Sequence, residues 1–135
     1  MIDRKEVICT INRLRSQGKG DAYCEAKACT HSLSADVWET VSAFANTHSG
    51  IILLGVDERH GFEPCPGFDT SRVIDQFVEG IGDGSPSGAR LANPPRYELA
   101  RLEMEGAEIL AIAIEENDVS RKPCYLIARG VASGT

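Results

Sequence analysis

Apolar residues recur along the chain in three helical stripes and in several shorter runs of strand character. Asp3 with Glu6 three residues later has the pattern of a capping box. Val7, Ile8, Ile11 and Leu14 then fall on one side of a helix that Gly18 closes. In AYCEAKAC, Tyr23, Glu25 and Lys27 alternate with Cys24, Ala26 and Ala28, the period of a strand. Ser34 is placed to cap a second helix with Val37, Val41, Phe44 and Ala45 facing inward and Trp38 beside them. That helix ends near His48, with Gly50 read as a left-handed turn. The run IILLGV is apolar on both faces and predicts a central strand. DERHGFEPCPG then reads as turns, and Val73, Ile74, Phe77, Val78 and Ile81 set a third helix over Thr70–Ile81.

Beyond that helix, GDGSPSGARLANPP has loop composition. YELARLEM and EILAIAIEE flank Glu105 and Gly106 as the arms of a hairpin. Leu110, Ile112 and Ile114 fill one face of the second arm, while Ala111 and Ala113 leave the other open to a close helix. KPCYLIA supplies one more strand. The order αβαβ, α, ββ, β predicts a single α/β domain over residues 1–135, with about three helices on a mixed β-sheet.

Composition changes this picture little, but charge does. The 42% hydrophobic and 25% charged content belongs to a water-exposed globular chain. With no apolar run of membrane length and a charged N-terminus, no membrane partner is expected and a cytoplasmic location is. Five cysteines without a CxxC pair argue for reduced thiols, and Cys24, Cys29 and His31 follow no familiar zinc spacing. The net charge of −6 is carried by residues 98–118, which hold seven acids and one base. The rest of the chain is neutral, with bases clustered at Arg4, Lys5, Arg13, Arg15 and Lys19 and at Arg121, Lys122 and Arg129. One acidic segment and two basic clusters are compatible with a phosphate-bearing partner.

Several motifs are absent. GIGDGSPSG follows a helix, opens none, and has no Lys-Ser/Thr of a phosphate loop. There is no GxSxG elbow, and His31, His48 and His60 are not paired at helical spacing. What remains is a constellation. If the CEAK and IILLGV strands are neighbours, Glu25, Lys27 and Asp57 converge at one edge. Two carboxylates and a lysine in that arrangement can hold a divalent cation against a phosphodiester. The same residues equally describe an ion pair between Lys27 and one carboxylate, with the second acid capping the following turn.

The succession CEAKA, a capped helix, AFANTHSGIILLGVDE, then GF and an amphipathic helix resembles the Schlafen-type AlbA domain over approximately residues 13–129. The AFAN-x-x-x-G-apolar-GVD core is its most specific part. The resemblance implies the N-terminal, DNA-binding domain of a bacterial transcriptional regulator. Some animal relatives are metal-dependent endoribonucleases that use two Glu and an Asp. By position, Glu25 matches the second Glu and Asp57 the Asp. The first Glu falls at Gly20, with Asp21 the nearest acid; Ser49-Gly50 stands for the usual double glycine and Ala26 for the bulky residue between acid and lysine.

The main expectation is therefore a regulatory domain that contacts the phosphates of nucleic acid, DNA above all, through Arg13, Arg15, Lys19, Lys27, Arg121 and Lys122. It calls for no cofactor. The alternatives are a nuclease built on Asp21, Glu25 and Asp57, with Glu25 and Asp57 as ligands of a divalent metal, and an interaction module pairing through a sheet edge as a homodimer. ARGVASGT, a turn composition after the last strand, suggests an N-terminal fragment whose gene runs on into further domains, with residues 131–135 frayed or paired.

Overall fold

The computed structural model describes residues 2–82 and 89–127. Helix α1 (Arg4–Gln17) begins at Asp3, whose carboxylate accepts from Lys5 N (2.9 Å). It ends at Gly18, in the left-handed conformation with its N–H on Leu14 O. Strand β1 (Cys24–Lys27), helix α2 (Val37–Thr47) and strand β2 (Gly50–Leu54) follow. A short hairpin of β3 (Val56–Asp57) and β4 (Glu63–Pro64) encloses the 3-10 turn Glu58–His60. Helix α3 (Thr70–Ile81), β5 (Leu91–Ala92), the long hairpin β6 (Tyr97–Met104) and β7 (Ala107–Ile114), and β8 (Tyr125–Leu126) complete the chain.

The main sheet has the order β1-β2-β7-β6, with β1 parallel to β2 and the other pairs antiparallel. It is mixed, as the element order predicts. Ile52, Leu54, Leu110, Ile112 and Ile114 point to one face, where α2 and α3 cover them with Val41, Phe44, Val73 and Phe77. Leu53, Ile109 and Ala111 point to the other, where Val7, Ile11 and Leu14 of α1 close the core. The small Ala111 side chain in that second core fits the expectation of a close helix. Full burial of each large aliphatic side chain contributes roughly 1.5–3 kcal/mol.

Four local expectations are corrected. Ser34 is not the cap of α2: the cap position is Asp36 and the helix starts at Val37, because the Ser34 hydroxyl is spent on the Asp36 carboxylate and the Ser34 carbonyl on Val37 N. Gly50 makes no left-handed turn. It opens β2, and the Phe44 ring lies where its side chain would be. IILLGV is not one strand, since Gly55 (φ 81) bends the chain under Phe68 and divides β2 from β3. The last predicted strand shortens to β8 and pairs with β5, inside the region read as loop, rather than with the main sheet. The expected fraying or pairing at residues 131–135 lies outside the described residues.

Candidate nucleic-acid interface

Strand β1 runs at the edge of the sheet with one face laid along α2. A strand rises about 6.6 Å in two residues and a helix about 6 Å in four, so an i, i+2 ladder can match an i, i+4 ladder. Here Lys27 and Glu25 meet Asp36 and Thr40 in that register, and Tyr23 meets His48, which stands in extended conformation just past the end of α2 rather than on the next rung, Phe44. Lys27 Nζ is 3.2 Å from Asp36 Oδ2 and 3.7 Å from Glu25 Oε1. Thr40 Oγ1 donates to Glu25 Oε2 (2.9 Å), and the Tyr23 and His48 ring centroids are 4.4 Å apart.

The lysine side chain is only 8% exposed, whereas those of Glu25 and Asp36 are 46% and 58% exposed. A buried ammonium is costly unless paired, and two flanking carboxylates that remain hydrated on their outer sides offset that cost. The Ser34 hydroxyl, then Lys27, holds the Asp36 carboxyl below the usual range.

The two acids at the exit of the central strands have separate tasks. Asp57 accepts from Arg59 N (3.0 Å) and from His60 Nδ1 (2.7 Å), with its carboxyl lowered first by the His60 bond and then by Arg59 N–H. It caps the 3-10 turn Glu58–His60. Glu58 reaches the other way: its Oε1 lies 3.5 Å from the ideal Cβ position of Gly20. The predicted convergence of Glu25, Lys27 and Asp57 is thus half present. Glu25 and Lys27 meet, and Asp57 turns to His60, because the bend at Gly55 ends the strand before it.

Asp21 accepts from the N–H groups of Tyr23 (2.9 Å) and Cys24 (3.0 Å) and pairs with Arg13 (2.7 Å). Partial burial works against its ionisation, but these donors outweigh it and its carboxyl is lowered. Among the described residues, no three His, Cys, Asp or Glu side chains are grouped to hold a metal ion. The separate engagements of Asp21, Glu25 and Asp57 do not fit a shared divalent cation. Cys24 and Cys29 pack in the cores on opposite faces of the sheet, and burial pushes their thiols up to about 12 and about 11. Both are therefore protonated at neutral pH.

The six predicted phosphate contacts do not gather on one face. Arg15 lies against the β6–β7 turn, donating to both carboxylate oxygens of Glu105 and to Gly61 O and Phe62 O. Lys122 pairs with Glu116, and Arg121 donates to Pro94 O. Lys27 is enclosed as described. Arg13, through Asp21, and Lys19 lie together where α1 leads into β1. Lys19 is exposed and carries no ion pair among the described residues. Sequence reasoning missed Asp36, Thr40 and His48. Asp36 and Thr40 were signalled by their four-residue spacing at the start of α2, whereas His48, extended past the end of the helix, carried no such signal.

The AFAN segment also has its geometry. Phe44 covers Gly50, and Asn46 donates through Nδ2 to Cys124 O (2.8 Å) while its Oδ1 accepts from Cys124 N (2.7 Å). These bonds tie the segment after β7 to α2. The described residues include no helix long and apolar enough to cross a membrane.

Compared with known proteins, residues 20–130 match the family model described as Schlafen, AlbA_2. No curated protein matches the chain. Among solved structures, it is similar to the N-terminal domain of a protein from Nitrosomonas europaea related to the ATP-dependent DNA helicase RecG. The identity is 26% and the TM-score 0.63, over 90% of this chain and 82% of that one. The match spans most of the residues that build the sheet, the two helices α2 and α3, and the Lys27 cluster, so the chain belongs to the Schlafen AlbA_2 family.

Proposed function

We propose that this domain associates with nucleic acid, DNA above all, as a binding rather than a cleaving module, and that it is the regulatory domain of a bacterial transcriptional regulator. The observation that carries the reading is a separation of charge across the sheet. Of the seven acids of residues 98–118, Glu98, Glu103, Glu105 and Glu108 belong to the β6–β7 hairpin, on the far side of β2 from β1, and Glu115, Glu116 and Asp118 follow β7. Arg13 and Lys19 stand at the opposite edge, beside β1. An acidic chain arranged in this way can still turn a cationic edge to a polyanion. The family membership and the RecG-related neighbour support the same reading.

Two cations make a small footprint, so binding is weak, poorly sequence-specific and salt-sensitive, with a dissociation constant in the non-specific range of roughly 10⁻⁴ to 10⁻⁶ M. Titration of the domain into labelled duplex DNA, single-stranded DNA and RNA at two salt concentrations tests it. Binding at low salt that weakens as salt rises supports the proposal. Absence of binding to all three probes at low salt overturns it.

A further inference from the structure

Tyr23 is the most exposed aromatic side chain among the described residues, at 61%, yet its mount is rigid. Its N–H is held by Asp21 Oδ1 (2.9 Å) and its carbonyl accepts from Ile51 N of β2 (2.9 Å). The ring is backed by His48 at 4.4 Å, tilted by 37°. His48 is itself fixed, since its Nδ1 donates to Ser49 O (3.2 Å) and its ring lies 6.0 Å from that of Phe44 in the core. Three rings therefore climb from the core to the surface: Phe44 buried, His48 half-buried, Tyr23 exposed.

A large aromatic left in water on a backbone pinned at both ends gains nothing for folding from its exposure, and its ordering cost is already met before any ligand arrives. The charges beside it narrow the ligand. Lys19 is exposed four residues away, and Arg13 neutralises the neighbouring Asp21. Glu25, the next residue on the same face of β1, is engaged by Lys27 and Thr40. An exposed ring with Lys19 and Arg13 on the segment leading into it, where Glu58 also approaches Gly20, has the two elements of single-strand recognition: a stacking surface and a track for phosphates. A duplex keeps its bases stacked internally and offers such a ring little.

We infer that the Tyr23–His48 pair is a stacking platform for an unpaired nucleobase, with the adjoining phosphates led past Lys19 and Arg13. This rests on the nucleic-acid reading above and adds to it a ligand class, single-stranded nucleic acid, and a site. DNA and RNA share the required chemistry, and parallel probes of each separate them.

The test is fluorescence-anisotropy titration of the whole domain and its variants with labelled oligothymidylate, oligouridylate, an abasic sugar-phosphate strand of equal length, and a duplex. Tyr23→Ala should weaken binding of the base-bearing single strands by about 5- to 150-fold, the range of one base stacked on one aromatic ring. Tyr23→Phe should bind like the unsubstituted domain, and the abasic strand should bind both variants equally. Because Tyr23 is exposed, Tyr23→Ala should melt within a few degrees of the parent, which a thermal melt verifies. Unchanged oligothymidylate binding in Tyr23→Ala, or an equal loss on the abasic strand, overturns the platform while leaving the nucleic-acid reading in place. Failure of the parent domain to bind any probe overturns both.

Discussion

Asn46 pairs with Cys124 as one peptide pairs with another: its side-chain amide gives one hydrogen bond to the Cys124 carbonyl and takes one from the Cys124 N–H. The thiol residue is buried, so its amide has no water to fall back on. Ser42 Oγ also donates to Cys124 O (2.7 Å), which leaves the N–H as the group that depends on Asn46 alone. We expect Asn46→Ala to destabilise the domain by roughly 1–3 kcal/mol, the cost of an unsatisfied buried donor. Urea denaturation measures it. A loss near zero would mean that the contact adds nothing to stability.

The neighbouring contact in the same motif is steric. Gly50→Ala places a methyl group against the Phe44 ring and should cost roughly 1–3 kcal/mol through overpacking. Phe44→Ala should cost more, about 3–5 kcal/mol, as a large core side chain is lost. The two are coupled, so the double variant should lose less than the two single losses combined. Strict additivity in denaturant titrations would show that Phe44 and Gly50 do not share one packing site.

Lys27 gives a prediction in pH. The folded-state pKa of Asp36 is depressed, first by Ser34 and then by Lys27. The stabilisation this represents is present above the ordinary aspartate range and is lost as pH falls through the folded value. Lys27→Met removes one of the two donors while filling similar volume. Its melting temperature should therefore fall less steeply than the parent's below about pH 4, near the unfolded Asp value. A nuclear magnetic resonance titration of Asp36 should show its pKa higher in Lys27→Met than in the parent. An unmoved Asp36 midpoint would contradict the pairing.

Arg15 separates stability from binding. Its guanidinium is engaged by Glu105, Gly61 O and Phe62 O, and the hydrogen bond to the Glu105 carboxylate raises its pKa. Arg15→Ala should lower the melting temperature by a few degrees, because it unties α1 from the β6–β7 turn, and should leave DNA affinity unchanged. Weakened DNA binding at an unaltered melting temperature would return Arg15 to the phosphate-contacting set.

The elements with strong periodicity were legible in the sequence. Helix α3 covers Thr70–Ile81 as its apolar spacing predicts, and the β6–β7 hairpin turns at Glu105 and Gly106. Where one residue type serves two purposes, reading from the sequence failed. Gly50 looks like a turn glycine by position, and only the Phe44 ring reveals that space rather than backbone freedom is needed there. Ser34 has the chemistry of a cap, but it is diverted to Asp36. At the site, the face of Tyr23, Glu25 and Lys27 was readable from its alternation. Its partners came from α2 rather than from Asp57, because matching a two-residue ladder to a four-residue one requires knowing which helix lies across the strand. The basic clusters were readable as composition, but their ion pairs with Glu105, Glu116 and Asp21 are tertiary facts.

We propose that nucleic acid meets the edge of the sheet beside β1 and not the other basic residues. The most direct measurement is the salt dependence of duplex DNA binding for the parent, for Arg13→Gln with Lys19→Gln, and for Arg121→Gln with Lys122→Gln. Each lost phosphate contact flattens the slope of log affinity against log salt by about 0.9. The slope should be flatter by roughly 1.8 in the first pair and unchanged in the second. An unchanged slope in the first pair, or an equal flattening in both, would contradict it.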